Sequence, residues 1–426
     1  MSGIRPNGID PVPLRHNAMK KRKTLVTDLV PGMYVCELDR PWLETPFLFQ
    51  GFWIRDRNDI DTVGQICNYV YIDIQRGLDP DSPAVIQGPL VAPGAAVHRN
   101  RAAAPQVPLE EELAQARRVR THTYSYLDQV FEDVRLGRSL DLADAKAVVS
   151  DMVSSIVRNP NAQLCLSQLK ERDAYTAQHS VNVCVLSVTF ARYLGMSESE
   201  LNLLGLGALL HDIGKLHTPL EILNKPARLT DEEFQVMRSH PGHGRDILRR
   251  IRGMPESAVD IAFTHHERLA GHGYPNRLQQ HEISAWSKLV AVVDVYDAIT
   301  SDRAYHDGMS ATEALTRMYQ WRERDFDPAL MEQFIQCIGI YPVGTLVELT
   351  SGEVGIVISV NPQARLRPRL LLVRDERGNP YFPSRVCDLS QHEADGDQPY
   401  GIRGVLEPGS LSIDVREHIR QLGVNR

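Results

Sequence analysis

At Leu109 the spacing of apolar residues changes, and this change limits what the chain can fold into more than any other feature. Leu113, Ala116, Val119, Thr123, Leu127, Val130 and Val134 recur at threes and fours, which puts them on one face of a long helix. A second run through Val148, Val149, Met152 and Ile156 stops where Asn159-Pro160 breaks it. Helical runs continue across 175–194, 199–213, 231–240 and 310–320. The run at 231–240 opens on a capping box, Thr230-Asp231-Glu232-Glu233, and meets Pro241 just after His240, which puts His240 at a helix end. From Met33 to Gly77 the residues are instead aromatic and β-branched, as in Tyr34-Val35-Cys36, Phe47-Leu48-Phe49 and Tyr69-Val70-Tyr71-Ile72. Beyond Ile340, alternation through Leu346, Val347 and Leu349, a Ser351-Gly352 turn and a Gly378-Asn379-Pro380 turn mark antiparallel strands.

The expected fold class is therefore multidomain: a mainly all-α bundle at the centre, a small strand-rich N-terminal domain and a small C-terminal antiparallel β-module. A length of 426 residues exceeds one ordinary core and agrees with this division. Residues 1–23, with Pro6, Pro11, Pro13 and the basic run Lys20-Lys21-Arg22-Lys23, are expected as a disordered, solvated extension. The strand-rich domain takes 24–78, a Pro/Ala-rich linker 79–108, connecting helices 109–164, the main helical domain 165–340, and the β-module and tail 341–426. The 109–134 helix is a candidate for pairing in a homodimer or for connecting two domains.

A net charge of −7 gives no general pull towards nucleic acid or anionic lipid, so neither is expected as a partner. The six cysteines are scattered without a CxxC and read as reduced, mostly buried thiols. No apolar stretch approaches the roughly 18 residues needed to span a bilayer, and the N-terminus lacks a signal-peptide core. A cytoplasmic location is the expectation.

Ten of the fifteen histidines fall between His179 and His306, concentrating imidazole in the helical region. Candidate metal ligands are His179, His211, Asp212, His240, His265, His266 and Asp294, drawn from separate segments as when facing helices aim side chains at one buried site. Taken singly, each histidine reads as an ordinary surface or core residue. Asp212 and Asp294 do not, because a carboxylate among hydrophobes is costly unless paired or metal-bound. Asp212 is assigned a bridging role. One cation would take His179, His211, Asp212 and Asp294, and the other Asp212, His240, His265 and His266. Two divalent ions with five imidazoles and two carboxylates leave a cationic site that would attract phosphate and acidify a bound water. Imidazole and carboxylate without thiolate suit Fe, Mn or Zn better than Ca or Mg without ranking the three; Fe or Mn is the expectation, with Zn a further candidate.

These motifs resemble the HD-GYP family, the HD-superfamily metallohydrolases that cleave cyclic di-GMP. The resemblance covers roughly 165–340 and rests on Asp173 to His179, His211-Asp212-Ile213-Gly214-Lys215, His240-Pro241, His265-His266-Glu267, Gly273-Tyr274-Pro275, Asp294 and Ser301-Asp302-Arg303-Ala304-Tyr305. Residues 32–77 resemble a domain of unknown function that often precedes such modules. The resemblance implies an HD-type bundle and a cyclic di-GMP phosphodiesterase yielding linear pGpG or GMP. Lys215 would stabilise charge on the phosphate, and Asp173 would orient Lys215. Tyr274 would stack guanine, with Pro275 fixing the loop and Gly273 allowing close backbone approach, and Arg303 would hold a phosphate or a guanine edge. Two departures stand out. Three-metal members carry a glutamate where this chain has Tyr175, so two metals are expected; and a lysine frequent in the family is replaced by His306, which would weaken substrate binding or make it more acid-dependent.

Two other functions compete. One is another HD-type phosphohydrolase, for nucleotides or other cyclic dinucleotides; the other is a non-catalytic module that senses cyclic di-GMP or docks a signalling protein. The Tyr274 loop and Arg303 argue against the first, and the complete ligand set argues against the second.

Overall fold

Strand-forming residues between Lys21 and Asp73 build the first of two compact units, Met1–Ala95 and Ala96–Arg426. The computed structural model describes residues 21–40, 52–54, 57–64, 66–74, 77–78, 104–169, 175–301, 308–361, 366–391, 401–407 and 409–422. Strands β1 (Lys21–Leu25), β2 (Tyr34–Leu38), β3 (Phe52–Trp53) and β4 (Tyr69–Asp73), with helix α1 (Arg57–Gly64), form an antiparallel sheet of order β1-β4-β2-β3. Met33, Val35, Leu38, Ile54, Val63, Val70 and Ile72 make its core.

The basic run expected as a solvated tail is partly a strand. Lys21, Arg22 and Lys23 lie in β1, Lys21 pairs with Glu37 at 2.5 Å, and Lys23 sits 3.5 Å over the Tyr69 ring. Only Thr24 of β1 is buried, so the charges occupy an edge strand, where lysines discourage pairing with a further strand. Residues 1–20 of the expected extension and most of the expected linker, 79–103, lie outside the described residues.

The second unit opens with α2 (Leu109–Arg135), α3 (Leu142–Arg158), α4 (Pro160–Leu166) and α5 (Tyr175–Tyr193). The apolar stripe of α2 is buried, and α3, α4 and α5 of the same chain pack against the helix. These helices are thus integral to the helical body rather than a connector. A dimer through α2 would have to use its polar face. Asp141 caps α3, and Asn159 ends it and caps α4, with Pro160 in the first turn of α4.

Next come α6 (Glu198–Leu210), a tight 3-10 turn (Ile213–His217), α7 (Leu220–Leu223), α8 (Asp231–Met237), α9 (His240–Arg249), α10 (Glu256–Thr264), α11 (Ala285–Thr300), α12 (Ala311–Trp321) and α13 (Pro328–Ile338). Helix α8 stops at Met237, and Pro241 sits in the first turn of α9, where its missing N–H costs nothing. His240 therefore opens α9 instead of closing the preceding helix.

An antiparallel sheet of order β8-β7-β6-β5-β9 and a final helix follow: β5 (Leu346–Leu349), β6 (Val354–Ser359), β7 (Arg369–Arg374), β8 (Pro380–Asp388), β9 (Ile402–Leu406) and α14 (Val415–Gln421). The sheet is tied to the helices: the Cys165 thiol donates to the Ile358 carbonyl, Arg369 pairs with Glu110, and Arg117 donates to the carbonyls of Arg420 and Leu422. All six cysteines are free, and five are buried. Among the described residues no helix is long and apolar enough to cross a membrane.

Candidate metal centre

Helix α6 starts at a capping box between Ser197 and Glu200 and ends at Leu210, leaving His211 as its C-cap and Asp212 at the head of the 3-10 turn. Gly214 makes the next contact possible. A Cβ there would lie 2.0 Å from the His240 carbonyl oxygen and 2.4 Å from the Gly244 nitrogen, so only glycine lets the turn close on α9 and bring His240 to Asp212. His265 is the C-cap of α10 with His266 just beyond it, while His179 and Asp294 come from the bodies of α5 and α11.

The seven predicted ligands converge in two groups around Asp212. Its Oδ2 lies 3.3 Å from His211 Nε2 and 3.7 Å from His179 Nε2, and its Oδ1 lies 3.3 Å from His240 Nε2 and 3.6 Å from His265 Nε2. Asp294 joins both sides, with Oδ1 3.0 Å from His179 Nε2 and Oδ2 3.7 Å from His266 Nδ1.

Hydrogen bonds set the tautomers. Nδ1–H of His211 donates to the Ala208 carbonyl (2.8 Å), that of His240 to Met237 (2.7 Å) and that of His265 to Ile261 and Ala262 (3.0 and 3.1 Å). A carbonyl can only accept, so each Nε2 presents a lone pair to the centre. The Nε2 atoms of His211, His240 and His265 and the Oδ1 of Asp212 are buried without a hydrogen-bond partner. Four orphaned acceptors aimed at one volume would be expensive unless a cation satisfied them, so these residues fit divalent metal. His179 differs, because its Nδ1 meets the Asp297 carboxylate at 2.8 Å.

Charge states agree. Burial would push the Asp212 carboxyl up, but Lys215 and the His211 and His240 imidazoles outweigh it and hold it well below the usual range. Asp294 is likewise raised by burial and lowered further by His179 and His266. Burial brings His265 down to about 4, and burial with neighbouring His265 takes His266 well below its ordinary value. Ionised carboxylates and neutral imidazoles are the forms a cation binds.

Lys215 donates directly to Asp212 Oδ2 at 2.5 Å. The sequence places Gly273 for close approach of a ligand, but its constraint comes from within the chain: a Cβ would fall 2.4 Å from the Arg268 nitrogen and 2.5 Å from Glu267 Cα. The Tyr274-Pro275 peptide is cis. The Tyr274 ring stacks on His266 at 4.6 Å, and the Arg238 guanidinium lies 4.9 Å from its centre, so this ring is already engaged. Asp173, Arg303 and His306 lie outside the described residues, as does the Tyr175 side chain.

Two residues received no role from the sequence. Glu267, buried, accepts from the Asn276 and Leu278 amides (2.7 and 3.0 Å) and staples the loop carrying Tyr274. Asp297 orients His179, and its signal is the spacing of three from Asp294, which puts both on one face of α11.

Residues 148–330 match the HD domain model, 21–145 a domain of unknown function (DUF3391), and 346–394 a KOW domain associated with HD domain. The chain is 39% identical over 369 residues to cyclic di-GMP phosphodiesterase PA4108 of Pseudomonas aeruginosa, covering 86% of this chain and 88% of that protein. This chain belongs to the HD-GYP family. Other relatives match in part: a cyclic di-GMP phosphodiesterase of Thermotoga maritima is 38% identical over 40% of this chain and 47% of its own, and 3'3'-cGAMP-specific phosphodiesterase 2 of Vibrio cholerae is 30% identical over 54% and 42%.

Proposed function

We propose that this protein is a metal-dependent phosphodiesterase that hydrolyses cyclic di-GMP to linear pGpG, with GMP as the product of a second cut of the same kind. The observation carrying this reading is the set of orphaned lone pairs of His211, His240, His265 and Asp212 around one buried volume. His179, His211, Asp212 and Asp294 would hold one cation, and Asp212, His240, His265 and His266 a second, with Fe or Mn the favoured metals and Zn next. Bound there, two divalent ions supply Lewis acidity and neutralise phosphate charge.

The chain's own residues do the rest. Asp212, ionised and shared between the two groups, sets their spacing. Lys215 contributes a permanent cation beside Asp212 that offsets charge building on the phosphate as the P–O bond breaks. Asp173 is proposed to orient Lys215. Tyr274, held by His266 and by the loop that Gly273, Pro275 and Glu267 shape, borders the centre where a guanine would lie, and Arg303 and His306 are proposed to hold the dinucleotide's phosphates. A reducing cytoplasm fits six unpaired thiols. The N-terminal unit is the proposed input for a signal or a signalling partner.

A second reading, hydrolysis of a different cyclic dinucleotide, is kept open by the relatives named as cGAMP-specific. A manganese- or iron-loaded preparation offered cyclic di-GMP and 3'3'-cGAMP, with products separated by chromatography, decides between them. Turnover of cyclic di-GMP to pGpG is expected; faster turnover of 3'3'-cGAMP would move the assignment to the second reading, and no turnover of either would reject both.

A further inference from the structure

We propose that Arg120 and Asn182 are positioning residues for His179, wiring helix α2 to the metal centre through Asp297. The Arg120 guanidinium, 6% exposed, donates to the Tyr124 hydroxyl (3.0 Å), to Ser167 Oγ (3.2 Å) and to the amide oxygen of Asn182. The Asn182 amide nitrogen donates to Asp297 Oδ1 at 3.1 Å, and Asp297 Oδ2 meets His179 Nδ1 at 2.8 Å. Asn182 and Asp297 are 1% and 2% exposed, so the path from α2 to His179 runs without solvent.

The polarity of each link is forced. Arginine can only donate, so the Asn182 oxygen faces Arg120 and its nitrogen must face the carboxylate. Among the described residues no carboxylate bonds Arg120 directly; its buried charge is answered through the amide by Asp297. This arrangement fixes the Asp297 carboxylate and, through it, the rotation of the His179 ring. Helix α2 lies within residues 21–145, the span matched by the same domain model as the strand-rich unit, so a shift of α2 would reach the centre by this route.

The inference rests on the metal reading above, and its test separates the two. Full-length protein is titrated with Mn(II) while free ion is followed by electron paramagnetic resonance, and melting temperature, kcat and KM are measured alongside. Arg120→Met and Asn182→Leu are each expected to weaken one Mn(II) site about tenfold or more, the size typical of ligand-supporting partners. They should lower kcat and leave KM within about twofold. Arg120→Met combined with Asp297→Asn should bind no worse than Asp297→Asn alone. Should Arg120→Met fail to fold, Arg120→Lys, which keeps the charge but loses the planar fork, carries the same expectation in smaller measure.

Glu112→Gln is the control. It cuts a buried network from α2, to Ser155 (2.8 Å) and Arg158 (2.6 Å), that meets Arg120 only at a remove, through Gln163 and Ser167, so melting should fall while Mn(II) affinity changes far less than in Arg120→Met. Arg120→Met or Asn182→Leu melting earlier yet binding Mn(II) as wild type does, or effects of Arg120→Met and Asp297→Asn that multiply, overturn the relay alone. A wild type that takes up no Mn(II) overturns the metal reading and the relay with it.

Discussion

The imidazoles around Asp212 are oriented by two different means. His211, His240 and His265 follow the last turns of α6, α8 and α10, and each fixes its ring by donating to a carbonyl three or four residues back. These carbonyls lie in last turns, where a helix runs out of onward amides; Ile261 O, which also takes the His265 amide, is shared. His179 sits in the body of α5, where carbonyls are committed to the helix ladder, and so it borrows a carboxylate from α11. A ligand at a helix end is oriented by backbone alone, whereas one in mid-helix needs a second side chain and whatever holds that side chain. Of these four imidazoles, His179 is therefore the one whose orientation rests on side chains from distant helices.

The largest expected effect ignores this asymmetry. Asp212→Ala removes the carboxylate facing both groups and should abolish hydrolysis and release both cations; elemental analysis showing two retained metals would break the proposed sharing. Next, His265→Ala and His179→Ala should each cost one cation and leave the other, and loss of both from either variant would mean the two sites form one unit. Smaller again, Asp297→Asn should weaken metal binding about 10–100-fold on the His179 side only, read by Mn(II) titration. A uniform loss at both sites would erase the distinction between the two modes of support. The smallest effect belongs to Glu267→Gln, which unstaples the Tyr274 loop without touching either group. It should raise KM several-fold with metal content unchanged and cost about 1–3 kcal/mol of stability by denaturant titration.

Much of this was legible in the residues. The period of three to four from Leu109 predicted α2 with its buried positions, and the seven His and Asp residues that converge were readable as candidates because histidines gather in the helical region and a carboxylate among hydrophobes is costly unless paired or metal-bound. The Lys21–Lys23 strand was not, because charges on an edge strand look like charges on a tail until a partner strand is seen. The start of α9 at His240 was missed because a proline after a helical run ends that run or opens the next one, and sequence does not choose. The role of Glu267 was hidden because its partners are backbone amides, which every residue carries.

What the sequence alone determined was chemistry: which side chains can hold a cation, and which face of each helix is apolar, since both follow from residue type and spacing. What only the tertiary structure decided was mutual placement. That Asp212 turns one oxygen to each histidine group, that Gly214 admits His240, and that Arg120 on α2 reaches His179 through Asn182 and Asp297 all depend on how helices far apart in the chain cross. Those crossings are set by the summed packing of many side chains, and no local pattern encodes them.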